Sequence, residues 1–227
     1  MSKLIVIGGT DCSGKRTQTN LLIERLKAEN AKIEKFAFPT YNSPTGRIVG
    51  GPYLGKKHIS EGFFPEGAAN VDPKVASGYF AIDRYANSPK IKELLENGYD
   101  VLLDRYVESN MGHQGGKLTT TEERLAMYQW LEKLEYGLYE LPRPDLTIFL
   151  HMPYQYACQL KKNRPEAPDE HEASEEHLLN AEKAYLELAE LYKFSKISCI
   201  ENGIIRTKGD IHEEVYSLVK KDKKLHI

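Results

Sequence analysis

The sequence predicts an α/β fold built on a mainly parallel sheet, and three observations carry that prediction. Short apolar runs of strand length alternate with longer segments of helical period. A glycine-rich loop joins the first apolar run to the first helical segment. A polar cluster, Asp104-Arg105-Tyr106, closes a later apolar run. Two chemistry-bearing segments therefore fall at strand ends, where open parallel sheets gather their ligands.

The elements follow in order. Leu4 to Ile7 is a buried strand, Gly8 to Gly14 a loop, and Lys15 to Asn30 a helix whose buried stripe is Leu22, Ile23 and Leu26. Lys32 to Phe38 is the second strand, stopped by Pro39. Thr40 to Pro44 is a turn, Gly46 to Ile59 a short helix plus loop, and Glu61 to Asn70 a loop. Asp72-Pro73 is a helix start, a capping carboxylate followed by proline in the first turn. This helix carries Val75, Tyr79, Phe80, Ile82 and Arg84, restarts or kinks at Ser88-Pro89, and stops at Gly98. Val101 to Leu103 is the third strand. Thr121 to Glu140 is helical, with Leu125, Tyr128, Leu131, Leu134 and Leu138 expected on one side. Leu146 to Leu150 is the fourth strand and Tyr154 to Lys162 a helix. Asn163 to Ser174 is polar and coreless and reads as a mobile flap. Glu175 to Tyr192 is an amphipathic helix, Ile197 to Ile200 the fifth strand, and Ile211 to Lys221 the last helix.

Composition sets the outer bounds. The 227 residues fit one domain, and 41% hydrophobic with 28% charged residues is an ordinary globular balance. A net charge of −2 gives no electrostatic case for a nucleic-acid or membrane surface. Cys12, Cys158 and Cys199 are far apart and have neither metal spacing nor a disulfide framework, which points to a reducing compartment. With no signal-type segment and no apolar run of membrane length, the expected location is cytoplasmic.

Gly9-x-x-x-x-Gly14-Lys15 has the spacing that cradles phosphates. Backbone N–H groups of such a loop point inward at a polyphosphate, and the first turn of the next helix adds its unpaired donors and partial positive charge. Lys15 supplies a full charge. Arg16 stands where a magnesium-binding hydroxyl is usual, with Thr17 one place later, so Asp11 is the candidate carboxylate for the metal. In the second cluster, Arg105 can grip phosphate oxygens with a planar fork, and Asp104 can order Lys15, Arg105 or metal-bound water. Phe80 and Arg84 are four apart and share a helix face.

Taken together, Gly9-Thr10-Asp11-Cys12-Ser13-Gly14-Lys15-Arg16-Thr17, Phe38-Pro39-Thr40-Tyr41, Phe80-x-x-Asp83-Arg84, Asp104-Arg105-Tyr106-Val107-x-Ser109-Asn110 and Leu141-Pro142-Arg143-Pro144-Asp145 resemble the thymidylate kinase family over nearly the whole chain. The resemblance implies a three-layer P-loop NTPase fold with a five-stranded parallel sheet and a mobile lid at about residues 161–174. It implies transfer of the ATP γ-phosphoryl group to dTMP, with Mg²⁺ and a homodimer. Carried onto this chain, the ATP group is residues Gly9 through Thr17 together with Arg164 of the lid. Asp11 meets the sugar 3′-hydroxyl and the metal, and Lys15 and Arg105 stabilise the phosphoryl group in flight. Phe80 stacks on thymine, Arg84 donates to its O4, Ser109 and Asn110 lie by the base edge, and Tyr41 reaches the acceptor phosphate. Phe38, His113 and Gln114 complete the dTMP group.

The chain departs from the common family pattern at several points. Gly8 replaces an acidic residue, Thr40 stands at a place where an arginine is common, and His113 replaces a tyrosine. The lid region has Lys161, Lys162 and Arg164 but then Asp169, Glu170 and Glu172. Two other readings keep the same loop: a kinase for another acceptor, and a nucleotide-binding protein without turnover. A guanine switch is argued against by the missing Asn-Lys-x-Asp motif.

Overall fold

The computed structural model describes residues 2–161, 171 and 174–221. The chain runs β1 (Leu4–Gly9), α1 (Lys15–Ala28), β2 (Ile33–Ala37), α2 (Pro44–Ile48), α3 (Pro73–Glu96), β3 (Asp100–Asp104), α4 (Val107–Gly115), α5 (Thr121–Leu131), β4 (Leu146–His151), α6 (Tyr154–Lys161), α7 (Glu175–Leu191), β5 (Ser195–Ser198), β6 (Ile200–Glu201), β7 (Ile204–Ile205) and α8 (Lys208–Lys221). Val49–Tyr53 and Glu132–Leu138 extend α2 and α5 as wider π-type turns.

Five strands form one sheet in the order β2-β3-β1-β4-β5, and every neighbouring pair is parallel. All of β1 is buried, which is why it reads as an unbroken apolar run. Alternation divides its side chains between two cores. Ile5 and Ile7 join Leu22 and Leu26 of α1 and Val215 of α8 on one face. Leu4 and Val6 join Ile91 of α3, Met111 of α4, Leu131 of α5 and Leu188 of α7 on the other. The result is the expected three layers. β6 and β7 form a separate antiparallel hairpin that the sequence pattern did not reveal.

Several elements differ from expectation for identifiable reasons. Ser88-Pro89 does not restart the helix, because α3 is continuous through Pro89. Pro89 cannot donate to the Tyr85 carbonyl one turn back, and Ser88 Oγ donates to it instead at 2.9 Å. The expected buried side of Thr121–Glu140 holds for Tyr128 and Leu131, whereas Leu125 and Leu138 are exposed. The wider winding after Leu131 departs from the 3.6 period and turns Glu135 inward. The fifth strand lies at Ser195–Ser198, and Ile200 belongs to the hairpin. α4 carries two glycines near its end and is capped by a third, Gly116, which hides its helical period. The lid expected at about 161–174, Arg164 included, lies outside the described residues except for Lys161, His171 and Ser174.

Glycine in α4 permits close packing on α7. A Cβ on Gly112 would come within 2.7 Å of the Tyr185 ring, and one on Gly116 within 2.8 Å of the Ala181 backbone. Gly112→Ala is expected to destabilise the protein by about 1–3 kcal/mol through overpacking. Urea unfolding should show a lower midpoint at unchanged slope. An unchanged midpoint would mean that the α4–α7 contact yields without strain.

Candidate active site

The glycine loop is latched to β4. Thr10 N donates to Leu150 O at 3.2 Å, Thr10 Oγ1 donates to Met152 O at 2.7 Å, and Met152 N donates back to Thr10 Oγ1 at 2.9 Å. Gly9 has φ +155°, and a Cβ there would stand 2.4 Å from Leu150 O, so no other residue fits. Cys12 is left-handed at φ 56°. Gly14, at φ 81°, precedes α1 and offers no side-chain cap, which leaves the first-turn N–H groups available to an anion. Lys15 Nζ lies inside the loop, donating to Thr10 O at 2.6 Å and to Ser13 Oγ at 3.5 Å. Arg16 is exposed and Thr17 half-buried on α1.

The second segment arrives at the same edge. Ile7 of β1 is in register with Asp104 of β3, and the next residue's N–H, Arg105 N, donates to Ile7 O at 3.1 Å. Arg105 sits at φ 67°, a left-handed conformation unusual for a branched-free side chain and held here by the strand pairing. Its Nη2 reaches Asp11 Oδ1 of the glycine loop at 3.3 Å. Burial works against both charges, yet each holds the other. Arg105 and Lys15 keep Asp11 well below the usual carboxylate range. Tyr185, Asp11 and Asp104 keep Arg105 above its ordinary value. Lys15 is lowered to about 8, by burial first and by the Arg105 charge second.

Beside this contact lies a cavity. It is lined by Asp11, Phe38, Tyr41, Phe80, Arg84, Arg105, Ser109, Asn110, His113 and Gln114, together with Pro39, Leu54, Tyr106 and His171. Residues from six segments are thus brought together. At one wall, Arg84 makes a buried bidentate pair with Glu135 through Nε to Oε2 and through Nη2 to Oε1 at 2.7 Å. Burial opposes the Arg84 charge, and Glu135 more than offsets it, so its pKa is raised. Asn110 Nδ2 donates to the same Glu135 Oε1 at 3.0 Å, so one carboxylate orients two cavity residues. Asn110 Oδ1 and the Gln114 amide are buried without a hydrogen-bond partner among the described residues. Such orphaned groups fit a ligand that brings its own donors and acceptors.

Asp83 explains Thr40. Its carboxylate accepts from Thr40 N at 2.8 Å, from Thr45 Oγ1 at 2.7 Å and from Thr40 Oγ1. This network fixes the turn after the cis Phe38–Pro39 peptide and aims Thr40 at α3. Arg47, near that turn, is exposed and does not line the cavity. Glu108 is a second residue the motifs did not single out. It is buried, accepts from Tyr106 N at 3.0 Å and Ser109 Oγ at 2.9 Å, and burial raises its pKa. Its Oε1 lies 2.8 Å from where a Cβ on Gly8 would be.

A glycine loop and an Asp-Arg strand tip beside one cavity suit phosphoryl transfer without naming the acceptor. The thymidylate kinase family model matches residues 7–211.

The chain belongs to the thymidylate kinase family.

Members of this family are phosphotransferases that use ATP as co-substrate and dTMP as acceptor. Similar proteins include a thymidylate kinase of Schizosaccharomyces pombe, 26% identical over 96% of this chain and 91% of that one. A probable thymidylate kinase of Pyrococcus abyssi is 28% identical over 95% of each chain. The thymidylate kinase of Homo sapiens is 31% identical over 66% of this chain and 60% of that one. Among solved structures, a thymidylate kinase of Candida albicans superposes with a TM-score of 0.73 at 22% identity, covering 99% of this chain and 94% of that one, and so shares its fold.

Glu135 was not legible as a site residue, although a buried arginine at position 84 requires some acidic partner. Removing that partner strands the arginine. Glu135→Ala is expected to destabilise the protein by about 3–5 kcal/mol, read by chemical denaturation. A loss below about 1 kcal/mol, the range of an exposed pair, would show that Arg84 is hydrated rather than enclosed.

Proposed function

We propose that this chain phosphorylates dTMP to dTDP with ATP, using the ion pair that ties its glycine loop to the tip of β3. The observation that carries the reading is the Asp11–Arg105 pair at 3.3 Å, which sets the phosphate-cradling loop against the cavity. Loop residues Gly9 through Thr17 take the ATP phosphates, with Arg164 as the lid's contribution. Phosphoryl transfer needs positioning and neutralised charge rather than a covalent nucleophile. Lys15 and Arg105 supply cations on either side of the moving group, and Asp104, at the head of that segment, orders them. A phosphate oxygen of dTMP attacks the γ-phosphorus in line as the bond to the ADP oxygen breaks.

The cavity residues account for the acceptor. Phe80 offers a stacking face to the base and Tyr41 a hydroxyl to its phosphate. Asp11 accepts from the sugar 3′-hydroxyl. Arg84 offers only donors, so it suits the O4 of thymine and opposes the amino group of cytosine. Ser109, Asn110 and Gln114 face the polar edges, while Phe38 and His113 border the sugar. Mg²⁺ fits this donor set at Asp11, whose carboxylate is held ionised, and not at Arg16, which has no oxygen to give. When bound, the ion supplies neutralising charge to the phosphates.

Within the proposal the chain is one domain of residues 1–227 with a lid near 161–174, acting in the cytoplasm, apart from nucleic acid and membranes. No helix among the described residues is long and apolar enough to cross a membrane. A homodimer is supported by the outer face of α3, where Val75, Ile82 and Tyr85 are each about half exposed at helical spacing.

Three measurements test the reading. Purified protein should turn over dTMP with ATP and Mg²⁺ well above dUMP, dCMP, AMP and thymidine, and Lys15→Ala should abolish this. A better rate on another acceptor would reject the assignment. Lys15 must be charged to act, so kcat/KM should fall as pH rises through about 8. The corresponding limb of kcat should lie higher, because bound polyphosphate restores the ammonium. An alkaline limb unchanged in Lys15→Arg would assign it to another group. In sedimentation, Ile82→Glu should convert a dimer to a monomer, and a wild-type monomer would refute the dimer.

A further inference from the structure

Three imidazoles from separate segments meet at one side of the cavity. His113 belongs to α4, His177 to the first turn of α7, and His171 lies ahead of α7. Their ring centroids are 4.4 Å apart for His171 and His177, 5.5 Å for His113 and His177, and 5.7 Å for His113 and His171. One nitrogen from each falls within 4.8 Å of the other two. His113 Nδ1 and His177 Nε2 are 3.3 Å apart. That is the nitrogen–nitrogen edge of a tetrahedron whose metal–nitrogen bonds are about 2.0–2.1 Å.

From this geometry we infer that His113, His171 and His177 form a binding site for a transition-metal dication of the zinc class, with water in the fourth position. Imidazole nitrogens suit Zn²⁺, Co²⁺, Ni²⁺ and Cu²⁺, whereas Mg²⁺ demands oxygen. The site is therefore distinct in chemistry from any magnesium at Asp11.

The surroundings are those of a ligand set. His171 Nε2 lies 2.8 Å from Tyr53 Oη and 3.3 Å from Ala68 O. Tyr53 Oη donates to Ala68 O at 3.0 Å, and Lys117 Nζ donates to Ala68 O at 2.8 Å. Ala68 O can only accept, so its contact with His171 Nε2 is a hydrogen bond when that nitrogen carries the proton, the tautomer whose lone pair is on Nδ1. Metal-ligating histidines are fixed in this way, the second nitrogen bonded to an outer oxygen. Burial keeps His113 well below its ordinary pKa and lowers His171 to about 3, so both rings are neutral at pH 7, the form that takes a metal. The Asp11 carboxylate acts on both rings and offsets the repulsion that Arg105 and Lys117 exert on a cation. An ion here ties His171 to α4 and α7 at once.

The test uses the full chain stripped with EDTA. Equilibrium dialysis with Zn²⁺ should show one ion per chain, and Co²⁺ should give the intense visible d–d bands of four-coordination. The unfolding midpoint should rise with either ion. His177→Ala should weaken binding by at least about 100-fold, since even outer-shell losses reach 10–100-fold, while leaving dTMP turnover in place. His177→Gln keeps the ring's volume in case the alanine variant fails to fold. The inference is overturned by any of four results: no binding to the stripped protein, a pale octahedral Co²⁺ spectrum, a near-ultraviolet thiolate charge-transfer band that puts the ion on cysteine, or undiminished binding in His177→Gln. None of these results bears on whether dTMP is the acceptor.

Discussion

The reacting end of the molecule hangs from the parallel pairing of β1 with β3. Ile7 opposite Asp104 sets where both strands stop, and the Arg105 N–H closes on Ile7 O just past that point. From there the Arg105 guanidinium reaches forward onto Asp11 and into the cavity wall. Two half-buried charges of opposite sign thereby face each other, and the guanidinium helps hold the Asp11 carboxyl well below its ordinary range. Sliding β3 by one residue would exchange its two faces and withdraw the guanidinium from the loop. The apolar faces of β3, Leu102 on one side and Val101 with Leu103 on the other, make that slip prohibitive. Core packing and the placement of Arg105 against the glycine loop are thus one constraint.

A second layer of carboxylates works behind the cavity wall without touching its interior. Asp83 organises the turn after Pro39, Glu135 orients Arg84 and Asn110, and Glu108 closes the start of α4. Each lies on a helix, so the polar positions of the cavity inherit the rigidity of the elements behind them.

What the sequence disclosed follows from the range over which each signal acts. The glycine loop, the Asp-Arg strand tip and the Phe80–Arg84 pair are local, set by spacing within one element, and all three were readable. Glu135 was not, because its burial depends on a π-type winding that breaks the period used to read it. The histidine group was not, because its members are adjacent only after α7 folds back onto α4. α4 itself was hidden by glycines that lower helix propensity and exist to admit Tyr185 and the Ala181 backbone. Thr40 looked like a missing cation in a turn, and the position of Asp83 shows that its N–H and hydroxyl serve to hold that turn against α3.

Gly8 and Glu108 share a single volume, with a carboxylate oxygen 2.8 Å from where the first atom of any side chain on residue 8 would be. A side chain at residue 8 would have to push that carboxylate off Tyr106 N and Ser109 Oγ, and the atom in its way is the far end of a flexible side chain rather than backbone. The two positions therefore trade space, and a substitution at the end of β1 is felt at the start of α4 as lost hydrogen bonds rather than as a backbone clash.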